Sequence, residues 1–463
     1  MHNPPTPYAW LALRHVCSKW RLAALLHPRL STIICLTRLE CVQDMLQRSG
    51  DLPIYMYSGL DFTTHPQSTL DAHQLALANL HRAYRADIKV SVSMFPTLKA
   101  NVQEHFVASE LTSLEMLIFQ SDPRNSGTVI RPYFPNMQFP RLTSLSYLYG
   151  NIKPFLGMFL PSLRRLRLRS LTPPIPANEL LDYLAPLLNL EELELEETLA
   201  PANPRLQDLT QIHPDLIALP RLQYISCEQS DALWGAWFIS RLKPTNNITL
   251  RFIGDDLSEG FCSFTAKMIC SVSFHDESSS DAIRSLSLEV DQDFLASLRV
   301  WPTVVSLGDM QPRTEVPRPW LELRLKGENG GWPFVYLLSR LPLSMLQVTY
   351  LSEMPTRRPL SRRPVPLGSM FQYLSATEVL HIEFHMWDDD TDVITQESSN
   401  FRHVRRLNLY EIWHDNCSCL LQSKALRNLV ALFDWRDFHN ATKVETVVDR
   451  VQCSVQQNYS RFR

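Results

Sequence analysis

The chain has 463 residues, 45 Lys plus Arg against 48 Asp plus Glu, and 45% hydrophobic residues, the balance of a folded protein with a large core. A formal net charge of −3 leaves no basic excess, which excludes a general nucleic-acid binder. Its 13 glycines fall well below the usual ~7%, so the clustered glycines that cradle phosphates are not expected.

The N-terminus, Met-His-Asn-Pro-Pro-Thr-Pro-Tyr, has no charged region followed by an apolar one, so a secretory route has no support and the reading is cytoplasmic or nuclear. The longest apolar run, Ala232 to Ile239, is far short of the ~18–20 residues that span a bilayer. Nine scattered cysteines without a CxxC read as reduced thiols, not as a disulfide framework. From Tyr8 to Ala24 the spacing predicts an amphipathic helix, with Thr6 and Pro7 at its start. Leu13, Val16, Cys17, Trp20 and Ala24 form its apolar stripe. Periodicity alone makes this a cap over the open end of a repeat array.

The residues themselves carry a resemblance. Trp10-Leu-Ala-Leu-Arg-His-Val16-Cys17-Ser-Lys-Trp20-Arg21, followed by Pro28-Arg-Leu30, resembles the second half of an F-box. Leu46-Gln-Arg-Ser-Gly-Asp-Leu-Pro-Ile54 is similar to a stretch of fungal F-box proteins with leucine-rich-like C-terminal arrays, and Leu180 to Glu196 is similar to their internal repeat. The resemblance implies that Leu13, Val16, Cys17, Trp20, Arg21, Pro28 and Leu30 bind a Skp-type adaptor of a cullin–RING ubiquitin ligase. The first half of the F-box pattern, a Leu-Pro-x-Glu entry and its helix, does not occur in the sequence, and Ser31 stands where the family has Trp.

Further along, the phrase L-x-x-L-x-L recurs at Leu163–Leu168, Leu190–Leu195 and Val404–Leu409. Each copy predicts a short strand whose leucines face one side and whose charged residues face the other. Looser copies start near Asp87, Leu114, Leu142, Leu222, Asn247, Ile283, Pro302, Trp320, Leu343 and Thr377. From Asp87 to Val404 the mean spacing is about 26 residues, inside the 20–29 of leucine-rich repeats. Segments with helical spacing at Asn178–Leu188, Ala232–Leu242 and Phe334–Leu341 return the chain between strands. Pro-rich runs at Pro173–Pro176 and Pro355–Pro366 supply inserted loops. The turn Asn or Cys is missing after Leu168, Leu195 and Leu409, which makes the array divergent.

The expected architecture is therefore α/β. A partial F-box-like helical segment covers residues 1–40, a leucine-rich-repeat-like solenoid with a curved parallel sheet and helical returns covers 41–440, and a cap or tail covers 441–463. On the sheet's polar face, Arg165, Arg167 and Arg169 are expected beside Glu192, Glu194 and Glu196 as a ladder of exposed ion pairs. Glu322, Arg324, Lys326, His381, Glu383, Arg406, Asn408 and Tyr410 mix charge with an aromatic ring, which suits a face that binds a protein substrate.

Other motifs dissolve on inspection. Leu184-Ala-Pro-Leu187-Leu188 matches LxxLL but fits a buried helix face. Asp388–Asp392 lacks the Gly and bidentate Glu of a calcium loop. His414–Cys419 lacks a second metal-ligand pair, and Arg357–Arg363 reads as a solvated basic loop. With no nucleophile elbow, zinc helix or phosphate loop in the sequence, no cofactor, metal or catalytic residue is expected, and the chain is read as a non-enzyme. The expected function is substrate recognition for a ubiquitin ligase. The alternative is a stand-alone leucine-rich interaction scaffold that cannot bind the adaptor because its F-box is incomplete.

Overall fold

Alternating leucine and charge gives a strand one face for the core and one for water. The computed structural model shows how these faces are assembled. It describes residues 16–58, 67–91, 106–119, 137–200, 216–244, 248–255, 283–290, 295–305, 319–326, 337–353, 372–385, 406–414, 445–449 and 452–453. From residue 382 onward, and at strand ends that include Glu289, Leu295 and Lys326, the description is of backbone and register. The chain is α/β, with a large, mostly parallel sheet and few helices. It divides into two compact units, Met1–Asn203 with Ile217–Leu222 and Pro204–Leu216 with Gln223–Arg463, and the expected array is parted between them.

In the first unit the elements run α1 (Ser18–Leu26), β1 (Ile33–Cys35), α2 (Leu39–Ser49), β2 (Ile54–Tyr57) and α3 (Gln67–Ala78). They continue with β3 (Ala83–Ser91), β4 (Ser113–Phe119), β5 (Ser144–Gly150), β6 (Arg165–Leu171), α4 (Ala177–Leu184) and β7 (Glu192–Glu196). Each strand is parallel to the next, in chain order from β1 to β7. Leu114, Leu145, Leu166 and Leu193 stand in register and are buried, as are Met116, Tyr147, Leu168 and Leu195 two residues on. Burying such a side chain contributes roughly 1.5–3 kcal/mol, so this double column holds the unit together.

The returns close over that column. Helix α2 buries Val42, Met45, Leu46 and Ser49 at i, i+3, i+4 and i+7 and ends at Gly50, whose φ of 54° suits a residue without a side chain. Helix α4 buries Ala177, Leu180, Leu181 and Leu184 by the same spacing. Of the LxxLL leucines, Leu184 and Leu187 are buried and Leu188 is exposed. At the ends of β5, β6 and β7, Tyr149, Ser170 and Glu197 follow residues paired in register, and all have positive φ, at 59°, 47° and 47°. A left-handed turn thus recurs at one position of three successive repeats.

The second unit contains β8 (Tyr224–Gln229), α5 (Ala232–Ser240), β9 (Thr249–Asp255), β10 (Ser285–Val290), β11 (Leu295–Trp301) and β12 (Leu321–Lys326). Strands β13 (Val348–Glu353), β14 (Val379–His385), β15 (Arg406–His414), β16 (Glu445–Asp449) and β17 (Gln452–Cys453) follow. Helix α5 begins where Asp231 accepts hydrogen bonds from the N–H groups of Leu233 and Trp234, at 3.1 and 3.3 Å. It lies so close to β9 that a Cβ on Gly254 would meet the Cβ and Cα of Ala232.

Strand order here departs from the expected succession. It runs β8, β9, β12, β11, β10, β13, β14 and β15, with β16 and β17 both against β15. Strand β11 is antiparallel to both neighbours, so the copy expected to start near Pro302 is corrected to a reversed strand that ends at Trp301. The physical reason lies in the linker. Val290 and Leu295 are separated by the four residues Asp-Gln-Asp-Phe, and a parallel crossover needs a dozen or more. The expected tail, 441–463, contributes the edge strands β16 and β17.

Candidate functional site

Three surfaces carry the candidate residues. At the N-terminus, Ser-Lys-Trp-Arg-Leu-Ala-Ala-Leu-Leu is rich in helix formers, and Pro28 disfavours helix at His27, so α1 stops after Leu26. Its predicted stripe is corrected. Val16 and Cys17 precede the helix, Trp20 is exposed, and Ala24 is the residue that packs. Exposure reaches 64% at Val16, 54% at Trp20, 59% at Leu22 and 71% at Leu26. Arg48 tethers the helix end, donating from Nη1 to the Leu25 carbonyl at 3.4 Å and from Nε to Asp44 at 2.7 Å. Arg21 and Pro28 are exposed, Leu30 is half-buried, and Ser31 is buried, while Leu13 lies outside the described residues along with the expected start at Thr6 and Pro7.

The polar face of the first unit is already occupied by its own pairs. The expected ladder forms in register: Arg165–Glu192 at 3.4 Å, Arg167–Glu194 at 2.9 Å and Arg169–Glu196 at 2.8 Å. Arg167 Nε closes on Glu194 without aiming its N–H at the carboxylate, so that pair is Coulombic. Nearer the N-terminus, Tyr55 Oη donates to Asp87 at 2.5 Å, and Arg85 donates two N–H groups to the same carboxylate at 3.2 and 2.9 Å. Burial and that carboxylate keep the Tyr55 phenol protonated well above its ordinary range. Burial and then Asp87 push the neighbouring Glu115 carboxyl up, partly offset by Arg167, Arg85 and Lys89.

One buried pair has the outline of a catalytic dyad. The Thr69 carbonyl can only accept, so His73 Nδ1 donates to it at 2.8 Å and Nε2 accepts from the Ser58 hydroxyl at 3.1 Å. Both residues are fully buried. The pair ties α3 to the chain leaving β2, closed to any substrate.

On the second unit, adjacent strands bring three guanidinium groups around one carboxylate. Arg324 donates to Glu322 Oε1 from Nη2 at 2.7 Å and from Nε at 3.0 Å, and Arg299 donates to the same oxygen at 3.3 Å. Arg251 faces Oε2 at 3.5 Å. Burial raises the Glu322 carboxyl, but Arg324, Arg299 and Arg251 together outweigh it and hold the group below its ordinary value. The convergence follows from register, because Glu322 pairs with Arg251 of β9 on one side and Arg299 of β11 on the other. Glu322 and Arg324 are legible from alternation within one strand. Sequence reasoning misses Arg251 and Arg299, because the order β9, β12, β11 is needed to find them.

The remaining expected binding residues divide differently. His381 is 8% exposed, which corrects its reading as a surface contact: it stands between Tyr350 and Asn408 on a packed face. Glu383 and Tyr410 are register partners, and Arg406 pairs with Val379. The side chains of Lys326, Glu383, Arg406, Asn408 and Tyr410 lie outside the described residues, as do Pro355–Pro366, Arg357–Arg363 and Asp388–Asp392. Three strands, β11, β10 and β13, separate Glu322 and Arg324 from His381. At ~4.8 Å per strand the two groups are distinct places on the sheet, where the expected succession leaves one strand between them. Among the described residues no helix is long and apolar enough to cross a membrane. No protein-family model matches the chain, and no curated protein matches it.

Proposed function

We propose that the chain is a substrate-recognition subunit of F-box type in a cullin–RING ubiquitin ligase, docking a Skp-type adaptor through the α1 region and a protein substrate through a divergent leucine-rich-repeat-like array. The observation that carries the reading is the uncovered apolar surface of α1. Leu22 and Leu26 fall one turn apart on a stripe, Trp20 lies one turn from the buried Ala24, and all three belong to or adjoin the stretch that resembles an F-box. Large apolar side chains left in water on a short helix favour a partner that removes them from it.

The repeat reading is supported by the first unit. Ile33 to Ile54 is 21 residues and Ser113 to Ser144 is 31, a range around the 20–29 of leucine-rich repeats. Register columns of leucine and the recurrent left-handed turn at Tyr149, Ser170 and Glu197 add to it. Binding through a sheet face suits such arrays, since neighbouring strands gather side chains from distant repeats.

Adaptor capture tests the proposal. Full-length wild-type chain should recover purified Skp-type adaptor, and Leu22→Asp with Leu26→Asp should cut recovery by about tenfold or more with an unchanged melting curve. No recovery by wild type, or equal recovery by the variant, overturns adaptor docking and leaves the stand-alone scaffold.

A further inference from the structure

Helix α1 carries charge of one sign beside its uncovered leucines. No Asp or Glu occurs from Met1 to Leu39, and the first acidic residue, Glu40, stands in the first turn of α2, where the helix dipole favours it. The next, Asp44, is taken by Arg48, whose Nε lies 2.7 Å from it. Lys19, Arg29 and Arg38 are exposed, and among the described residues none of the three reaches a carboxylate at ion-pair distance. The surface around α1 is therefore apolar and basic at once, whereas the ladder on β6 and β7 pairs its arginines with glutamates.

The charges are placed to act with the leucines. Lys19, Leu22 and Leu26 follow at i, i+3 and i+7, which puts them on one stripe of the helix. Arg29 comes on the 3-10 turn Pro28–Ser31, just after Leu26, which is 71% exposed. Ala24 is buried on the side away from this stripe, and Arg48 holds the Leu25 carbonyl, so a braced helix presents it. An apolar centre with charge at its margin is the anatomy of a protein interface.

We infer that α1 docks a partner polypeptide whose apolar groove is edged with Asp and Glu side chains, Leu22 and Leu26 filling the groove while Lys19 and Arg29 meet the acidic edge. The inference rests on the proposed docking role of α1, and it names the chemistry that the partner presents. A lipid surface fits less well: a helix lying in a bilayer interface buries a face clear of charge, and here Lys19 stands in line with the leucines. Exposed ion pairs at such an edge add little affinity each, but they speed encounter and reject partners of the wrong sign.

Fluorescence anisotropy on the full-length chain tests this with two labelled helical peptides that share one leucine stripe, flanked by Glu in the first and by Lys in the second. The Glu peptide should bind at least about tenfold more tightly at low salt, and the margin should narrow as salt shortens the reach of the charges. Lys19→Glu with Arg29→Glu should remove the preference with an unchanged melting curve, since both side chains are exposed. Leu22→Asn with Leu26→Asn, which leaves the charge unaltered, should weaken the Glu peptide by about tenfold or more. Equal binding of the two peptides by wild type, or binding of neither, overturns the inference, and so does a preference that survives either double variant. Cosedimentation with phosphatidylserine vesicles in place of peptide binding moves the site to a lipid surface and likewise overturns it. Adaptor capture is scored separately: recovery of adaptor without a preference for the Glu peptide sinks the inference alone, and the preference without recovery sinks adaptor docking alone.

Discussion

Arg324 Nη2 lies 2.7 Å from Glu322 Oε1, two residues back along the same strand. Side chains at i and i+2 share a face, so the pair needs no tertiary partner to meet, and Arg299 and Arg251 add to a contact the strand has already made. Local geometry therefore seeds a charge cluster that the strand order completes.

The first prediction concerns acid. With its carboxyl held below the ordinary 4.5, folded Glu322 binds a proton more weakly than the unfolded chain does. Its stabilisation is full above that ordinary value and is lost as pH falls through the folded one. Glu322→Gln should lower stability at neutral pH by roughly 1.5–3 kcal/mol, since charge-assisted hydrogen bonds to two arginines are lost. Urea midpoints of wild type and variant should differ at about pH 7 and draw together as pH is taken below the ordinary carboxylate range. A constant difference across that range would mean the carboxyl does not titrate as the geometry requires.

Leucine columns give the second prediction. Leu166 and Leu193 are buried register partners in β6 and β7, whereas Leu188, shortly before β7, is exposed. Truncating either column leucine to Ala should cost about 2–5 kcal/mol through lost transfer and the cavity left behind. Leu188→Ala should stay within about 0.5 kcal/mol. Denaturant unfolding with an unchanged slope would measure both, and equal costs for Leu166 and Leu188 would contradict the register.

Much of this is written locally. Leu163–Leu168 and Leu190–Leu195 each state a strand, its buried face and its charged face within six residues, so both the leucine columns and the Arg–Glu ladder follow from the sequence. Strands β1 and β2 do not show themselves, because Ile-Ile-Cys and Ile-Tyr-Met-Tyr carry no alternating charge to separate their faces. Direction is equally hidden: Leu-Ala-Ser-Leu-Arg-Val-Trp alternates alike whether β11 runs up or down, and the four-residue link before it is the signal to read. Alternation places His381 on the polar face but cannot tell that this face is packed there. The convergence of Arg251 and Arg299 on Glu322 is the least local feature. The three residues belong to β9, β11 and β12, and they meet only because β12 lies between the other two strands in the sheet.

The last prediction comes from the recurrent turn at the ends of β5 to β7. Ser170 has a φ of 47°, a region where an L-residue's Cβ crowds the following carbonyl. Glycine removes the crowding, at the cost of a more flexible unfolded chain. The relief, about 1–2 kcal/mol, exceeds that cost of roughly 0.5–1 kcal/mol, so Ser170→Gly should stabilise the chain by up to about 1 kcal/mol. Ser170→Ala keeps the Cβ and loses the hydroxyl, and should leave stability unchanged or lower it. Thermal unfolding of the pair separates backbone strain from side-chain chemistry. A glycine variant that melts below the alanine variant would show that relief of the Cβ crowding does not outweigh the added freedom of the unfolded chain, and the recurrence at Tyr149 and Glu197 would then need a cause other than backbone strain.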